Sequence, residues 1–140
     1  MRYLFAVVTV MMILFVAVQY NDADAPFWMA CYGSAAIWAG IAAFRPRLLA
    51  RTSSRALLVL CLAAAAILTV FYWPPVAGWW REEIWRMGMT DARAAEIAEQ
   101  AREGIGMMIV TAVLVSVLAA SFSIRPSSVA PVRRAVPDVF

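Results

Sequence analysis

A short polar stretch between two long apolar runs constrains this chain more than any other feature. Residues 19–26 read Gln-Tyr-Asn-Asp-Ala-Asp-Ala-Pro, and they separate an apolar run that ends at Val18 from one that begins near Phe27. Charged side chains are strongly disfavoured in hydrocarbon unless they are paired or hydrated. The stretch is therefore expected at a membrane surface or inside a protected polar cluster.

The composition places the chain in a lipid bilayer. Of its 140 residues 64% are hydrophobic and the mean hydropathy is +0.77, whereas soluble domains have roughly 45–50% apolar residues. All twelve basic residues are arginines spread between apolar runs, so the net charge of +3 does not indicate nucleic-acid binding. Histidine is absent, which removes the commonest transition-metal ligand and general base. We therefore expect no cofactor and no catalytic residue.

Four apolar runs have the length of membrane-spanning helices. They cover residues 3–19, 26–44, 56–72 and 105–122, within one domain of residues 1–124 that is followed by a loose tail, 125–140. A cleaved signal peptide is an alternative for the first run, because residues 23–25 imitate a cleavage site. We favour a helix, since Pro26 would follow the cut. Gly33, Ala36 and Gly40 recur at helical spacing, which allows a neighbouring helix to approach closely.

The loop of residues 73–104 is expected to contain two further helices. Residues 76–87 alternate an apolar stripe with a charged one, which predicts a helix lying in the membrane interface. Residues 91–103 predict a polar helix that runs toward the membrane. Five tryptophans are expected near the membrane surface on which this loop lies, and they are interpreted as interface anchors rather than a substrate platform: Trp28, Trp73, Trp79, Trp80 and Trp85. The predicted fold is all-α: an integral membrane four-helix bundle with an extracytoplasmic interfacial helix and polar helix between the third and fourth spans.

Charge predicts the orientation. Arginine dominates one side of this topology, at residues 2, 45, 47, 51, 55, 125, 133 and 134, while eight of the nine acidic residues fall on the other side. Arginines in short loops stay cytoplasmic. We therefore predict a multi-pass protein of the cell (inner) membrane of a bacterium, with both termini cytoplasmic.

One polar cluster is a candidate site. Glu99, Arg102 and Glu103 share a helical face, and that face is expected to meet the first hairpin. The predicted cluster comprises Gln19, Asn21, Asp22, Asp24, Glu99, Arg102 and Glu103. It is either a structural lock in which Arg102 pairs with carboxylates, a binding site for a proton or divalent cation, or a pair of carboxylates for acid–base catalysis. The identity of any metal stays open.

These polar motifs resemble the transmembrane protein 220 family. The resemblance rests on Gln19-x-Asn21-Asp22-x-Asp24-Ala25 followed by Trp28 and Tyr32, and on Glu99-x-x-Arg102-Glu103-x-x-Gly106. This chain has Ala23 where the family usually has a proline, and its loop around residues 79–91 has no evident counterpart. The resemblance implies a small multi-span membrane protein with polar residues at one membrane face. It implies no particular activity.

The leading functional hypothesis is a non-enzymatic accessory or assembly subunit of a membrane complex. Its partners would be the lipid bilayer and other membrane proteins or further copies of itself, with no nucleic acid. The alternative is cation or proton binding for transport or sensing. A third hypothesis is a membrane enzyme that acts on a lipid or another substrate at the outer face.

Overall fold

The computed structural model describes residues 1–22, 24–73 and 92–124. Five α-helices run through these residues: α1, Arg2–Val18; α2, Ala25–Phe44; α3, Pro46–Leu49; α4, Thr52–Phe71; and α5, Ala92–Ser123. A single 3₁₀ turn, Gln19–Asn21, follows α1, and the described part of the chain contains no strand. The predicted interfacial helix and the tail lie outside the described residues.

Four of these helices are long and apolar enough to cross a membrane. The candidate spans are Arg2–Asn21, Ala25–Phe44, Thr52–Phe71 and Ala98–Ser123. The prediction of an all-α membrane bundle is thus confirmed. Their direction alternates, so the protein has two ends. We call the end with residues 19–24, 71–73 and 92–103 the acidic end, and the end with residues 1–4, 44–55 and 121–124 the basic end.

The sequence explains where each span begins and ends. The α1–α2 turn contains the polar residues of the first hairpin, and α2 begins after Asp24 with Pro26 in its first turn, where the missing N–H removes no helical hydrogen bond. α4 begins at Thr52, four residues before the apolar run, because Thr52, Ser53 and Ser54 continue the helix into the connector. Within that connector, α3 begins at Pro46 and buries Leu49.

The predicted polar helix and the fourth span form one continuous helix, α5. Its 32 residues correspond to about 48 Å, against about 30 Å of hydrocarbon, so its first turns extend beyond the apolar core. A single buried stripe explains the continuity, because these residues recur every three or four positions on one side of α5: Ala98, Ala101, Gly104, Met107, Val110, Leu114, Val117 and Ser121.

The helices are arranged around α2 and α5. α2 packs against α1 on one side and α5 on the other, while α4 packs mainly against α5. The small residues of α2 allow the close approach of α1: a Cβ at Gly40 would lie 3.6 Å from Thr9, and one at Gly33 would lie 3.9 Å from Val16. The small-residue face is therefore occupied by the protein's own first helix.

Polar contacts join α4 to α5 at two depths. Near the acidic end, Thr69 Oγ1 lies 2.8 Å from Thr111 Oγ1, 2.8 Å from the Ala65 carbonyl and 3.2 Å from the Met107 carbonyl. At the basic end, Arg55 donates from Nη2 to the Ser121 carbonyl at 2.7 Å and from Nε to the Leu49 carbonyl at 3.2 Å. Its guanidinium also lies 4.9 Å from the centre of the Phe122 ring. Arg55 thus satisfies the carbonyls of two helix ends.

Candidate functional site

The acidic end of the bundle contains a cavity of about 200 Å³. Six of the seven residues of the predicted polar cluster line it, together with two aromatic residues of α2: Gln19, Asp22, Asp24, Trp28, Tyr32, Glu99, Arg102 and Glu103. Asn21 is exposed and does not line the cavity. The first hairpin and the start of α5 therefore meet, as their polar residues predict.

Helical spacing positions each contributor. Asp24, Trp28 and Tyr32 are four residues apart, so they follow one face of α2 from the helix start into the bundle. Glu99 and Glu103 have the same spacing on α5, and Arg102 precedes Glu103. The two helix faces point toward each other. Their charged side chains lie at the mouth of the cavity, and the aromatic side chains of α2 lie deeper in the bundle.

The charged rim is accessible and the floor is buried. Asp22, Asp24, Glu99 and Arg102 are exposed and Glu103 is half-buried, whereas Trp28 and Tyr32 are only 4% and 8% exposed. The arrangement is a set of exposed charged side chains above two buried aromatic rings.

Among the described residues that line the cavity, negative charge predominates, since four carboxylates face one guanidinium. The guanidinium of Arg102 donates from Nε to the carbonyl of Ala98 on its own helix, at 3.3 Å. Asp24, Glu99, Arg102 and Asp22 are all close enough to Glu103 for their charges to act on its carboxyl group. The carboxylates thus interact with one another as well as with Arg102.

Two tryptophans predicted as interface anchors are in different environments. Trp28 lies inside the bundle, where its Nε1 donates a hydrogen bond to Asp24 Oδ2 at 2.8 Å. Its indole contacts protein because α2 is packed between α1 and α5 at this level. Trp73 is 57% exposed at the acidic end, as an anchor would be. Trp79, Trp80 and Trp85 lie outside the described residues.

Further aromatic residues surround the floor. The Trp28 ring centre is 6.1 Å from that of Tyr32 and 5.4 Å from that of Tyr72, at the end of α4, and Phe15 of α1 meets Tyr32 edge-on at 5.4 Å. Desolvation, followed by the charges of Glu103 and Asp24, raises the pKa of the Tyr72 phenol.

A glycine brings α5 against the floor. A Cβ at Gly106 would overlap the Tyr32 hydroxyl, and it would lie 3.3 Å from Tyr32 Cζ and 3.6 Å from Trp28 Cζ3. Any larger side chain at this position would displace one of the two rings. Gly106 is thus part of the site, because only glycine leaves enough space for the Tyr32 ring at this position.

A known family model matches the part of the chain that forms this cavity. The model of transmembrane family 220 matches residues 11–119, which include every residue that lines the cavity. The chain belongs to transmembrane family 220. The residues on which the resemblance rested are, apart from Asn21 and Ala25, those that line the cavity or close its floor. No curated protein and no solved structure matches the chain.

The donor groups favour some ligands over others. Within the described ranges, no three His, Cys, Asp or Glu side chains are grouped closely enough to hold a metal ion. Calcium is bound by six to eight oxygens at 2.3–2.6 Å and magnesium by a near-ideal octahedron. The carboxylates of this family 220 protein are more widely dispersed around their cavity. Within the described residues, they do not form a coordination shell of either kind.

Proposed function

We propose that this integral membrane protein is non-enzymatic and binds a cation in the cavity at its acidic end. One observation carries the proposal: two distant polar motifs converge on a single cavity in which four carboxylates face one guanidinium. Carboxylates held together repel one another unless a cation neutralises them. A bound cation would remove that repulsion.

The alternative interpretation of the cluster is a structural lock. A lock requires Arg102 to neutralise carboxylates from other elements, but this side chain is exposed and donates to a carbonyl of its own helix. Among the described residues that line the cavity, four carboxylates face this one guanidinium. These features favour cation binding over a lock.

The accessory-subunit role remains a second proposal, and one observation favours it. A groove faces outward between α2 and α4, lined by apolar and small residues: Met29, Ala30, Gly33, Ser34, Ile37, Trp38, Ile41, Leu57 and Cys61. A membrane helix of a partner would pack there through small residues. The small-residue face of α2 supports this role less, because α1 already covers part of it.

Thermal unfolding of the purified protein in detergent tests cation binding. A ligand that binds only the folded state stabilises it by about 2.7 kcal/mol at one hundred times its dissociation constant. We expect the melting temperature to rise with the logarithm of the concentration of at least one cation in a panel of sodium, magnesium, calcium, ethylammonium and choline chlorides. Titration at constant ionic strength, maintained with a salt that has no effect, separates binding from screening.

Carboxamide variants assign the effect to the cavity. Asp24→Asn combined with Glu103→Gln should abolish the cation response and, without cation, should leave stability unchanged or increase it. Glu96→Gln is the matched control, because Glu96 is an exposed carboxylate of α5 that does not line the cavity. A structural lock gives the opposite result: the double variant melts lower and no cation shifts the wild type.

A further inference from the structure

An apolar cavity lies within the membrane-spanning part of the bundle, between α2, α4 and α5. Because α4 packs mainly against α5, space remains between α2 and α4. The volume of this inner cavity is about 240 Å³, and its back wall includes Met107 and Leu114 of α5. The outward groove between α2 and α4, of about 550 Å³, adjoins it, because Ala30, Ser34 and Cys61 line both. An apolar space thus leads from the outer surface of the bundle to α5.

This space runs along most of α2. Phe27 lines the inner cavity near the acidic end, and Ile41 lines the groove near the basic end. The two residues are fourteen positions apart, which corresponds to about 21 Å along the helix axis. One leaflet contributes about 15 Å, half of the hydrocarbon core. The space is therefore long enough for one acyl chain of a lipid whose headgroup lies at the basic end.

The shape of the space favours a lipid chain over a helix. A helix with its side chains is about 10–12 Å across, so it can lie over the groove, whereas three helices of the bundle bound the inner cavity. A methylene chain is much thinner and can follow the groove inward. Apolar space that stays unfilled loses van der Waals contacts along its lining, and apolar cavities bind apolar molecules that reach them. The bilayer provides such chains along the whole groove.

The basic end provides contacts for a negatively charged headgroup. The connector between α2 and α4 lies at the end of the groove, and it exposes Arg45, Arg47 and Arg51. Its fourth arginine, Arg55, is bonded to two backbone carbonyls. Every carboxylate side chain of the described residues lies at the other end of the bundle, so none of them neutralises the exposed arginines. Guanidinium groups match phosphate oxygens in geometry and charge, and basic pockets between membrane helices bind anionic headgroups.

We propose that the space between α2 and α4 binds one anionic phospholipid. Its acyl chain lies in the groove and the inner cavity, and its phosphate lies against Arg45, Arg47 and Arg51. The headgroup is at the opposite end of the bundle from the acidic cavity, so this inference does not depend on the cation binding proposed above. A lipid in the groove excludes the partner helix considered above, and experiment separates these two occupants.

Native mass spectrometry of the delipidated protein in detergent tests the headgroup contacts. Phosphatidylglycerol and phosphatidylcholine with the same acyl chains are titrated separately, and the masses give the number of bound lipids and the dissociation constants. Because each arginine near an anionic headgroup contributes a factor of about five, the first phosphatidylglycerol should bind about tenfold or more tightly than phosphatidylcholine. Replacing Arg45, Arg47 and Arg51 by glutamine should remove this preference. Arg2→Gln is the matched control, because Arg2 is exposed at the same end but α1 does not line the groove.

A bulky side chain tests the position of the acyl chain. Cys61→Phe would fill space in both the groove and the inner cavity, so it should prevent the tight binding of phosphatidylglycerol. Leu60→Phe is the control, since the neighbouring Leu60 is 66% exposed and lines neither space. If Cys61→Phe does not fold, Ala30→Leu replaces it. Glycerol phosphate has the headgroup without the chains, and it should not displace the lipid even in large excess.

Three results would overturn the proposal: equal binding of the two lipids, tight binding that survives the groove-filling variant, or displacement by glycerol phosphate at concentrations similar to those of the lipid. If Cys61→Phe instead releases a co-purified membrane protein and leaves lipid binding unchanged, a partner helix occupies the groove. The thermal response to cations should be the same in all these variants. The lipid site and the cation site can therefore fail separately.

Discussion

At the scale of single residues, Gly106 has the sharpest steric requirement that the structure shows. Alanine normally stabilises a helix by about 1 kcal/mol relative to glycine, so Gly106→Ala would be favourable if the site were open. Because a Cβ at this position overlaps the Tyr32 hydroxyl, we expect Gly106→Ala to destabilise the protein by about 1–3 kcal/mol instead. The melting temperature in detergent measures the change.

Two further variants attribute that effect to the Tyr32 contact. Gly33→Ala is the control, because its Cβ would make only an ordinary contact of 3.9 Å with Val16. Tyr32→Phe removes the overlapping oxygen, so it should recover part of the loss when combined with Gly106→Ala. Independent, additive effects of the two substitutions would contradict the predicted contact.

Residue by residue, the sequence predicts the rim of the cavity better than its floor. Asp22, Asp24, Glu99 and Glu103 could be grouped in advance, because charged residues at the ends of apolar runs must collect where water reaches them. The sequence alone predicts an interface anchor at Trp28, since a tryptophan near a span end usually is one. Its spacing of four from both Asp24 and Tyr32 is the signal that places it inside.

At the scale of helices, the Thr69 and Thr111 pair is the polar contact that joins α4 to α5 near the acidic end. Interhelical hydrogen bonds in membranes contribute about 0.6 kcal/mol on average and up to about 1.7 kcal/mol. Thr69→Val should therefore lower the free energy of unfolding by about 0.5–1.5 kcal/mol, since its hydroxyl contacts Thr111 and the Met107 carbonyl. Equilibrium unfolding in mixed micelles gives the value.

Ser116→Ala is the matched control for Thr69→Val. Ser116 lies on the exposed side of α5, and among the described residues its hydroxyl bonds to the Ala112 carbonyl of the same helix. Its replacement should change stability by less than about 0.5 kcal/mol. If Ser116→Ala lowered the free energy of unfolding as much as Thr69→Val, the threonine hydroxyl would act within its own helix and not between helices.

Helix positions and the meeting of the first hairpin with the start of α5 followed from the sequence, whereas the contacts of α4 did not. Runs of apolar residues predict spans because a bilayer demands about twenty of them. The rotation of α4 is not predictable in this way, because its lipid-facing and protein-facing sides are both apolar, and Arg55 was interpreted only as part of a basic connector. α5 continues through Gly104 because one side of it is buried against the other helices. The sequence alone does not show which residues of α5 those helices bury.

At the scale of the whole molecule, the division of charge between the two ends predicts a single orientation in the membrane. The basic end exposes Arg45, Arg47 and Arg51, and the acidic end exposes Asp22, Asp24 and Glu99. Arginines of short loops remain cytoplasmic, so the cavity should face away from the cytoplasm. The protein would then sample ligands from the outer side of the membrane or from its outer leaflet.

Cysteine labelling in intact cells tests this orientation. In a background with Cys31→Ala and Cys61→Ala, Asn21→Cys and Ser53→Cys place one thiol at each end, and both positions are exposed. A membrane-impermeant maleimide should modify Asn21→Cys in intact cells and Ser53→Cys only after permeabilisation. If these charges set the orientation, replacing Arg45, Arg47 and Arg51 by glutamine should make part of the population label in the reverse pattern. Labelling of Ser53→Cys alone in intact cells would contradict the predicted orientation and would mean that the cavity faces the cytoplasm.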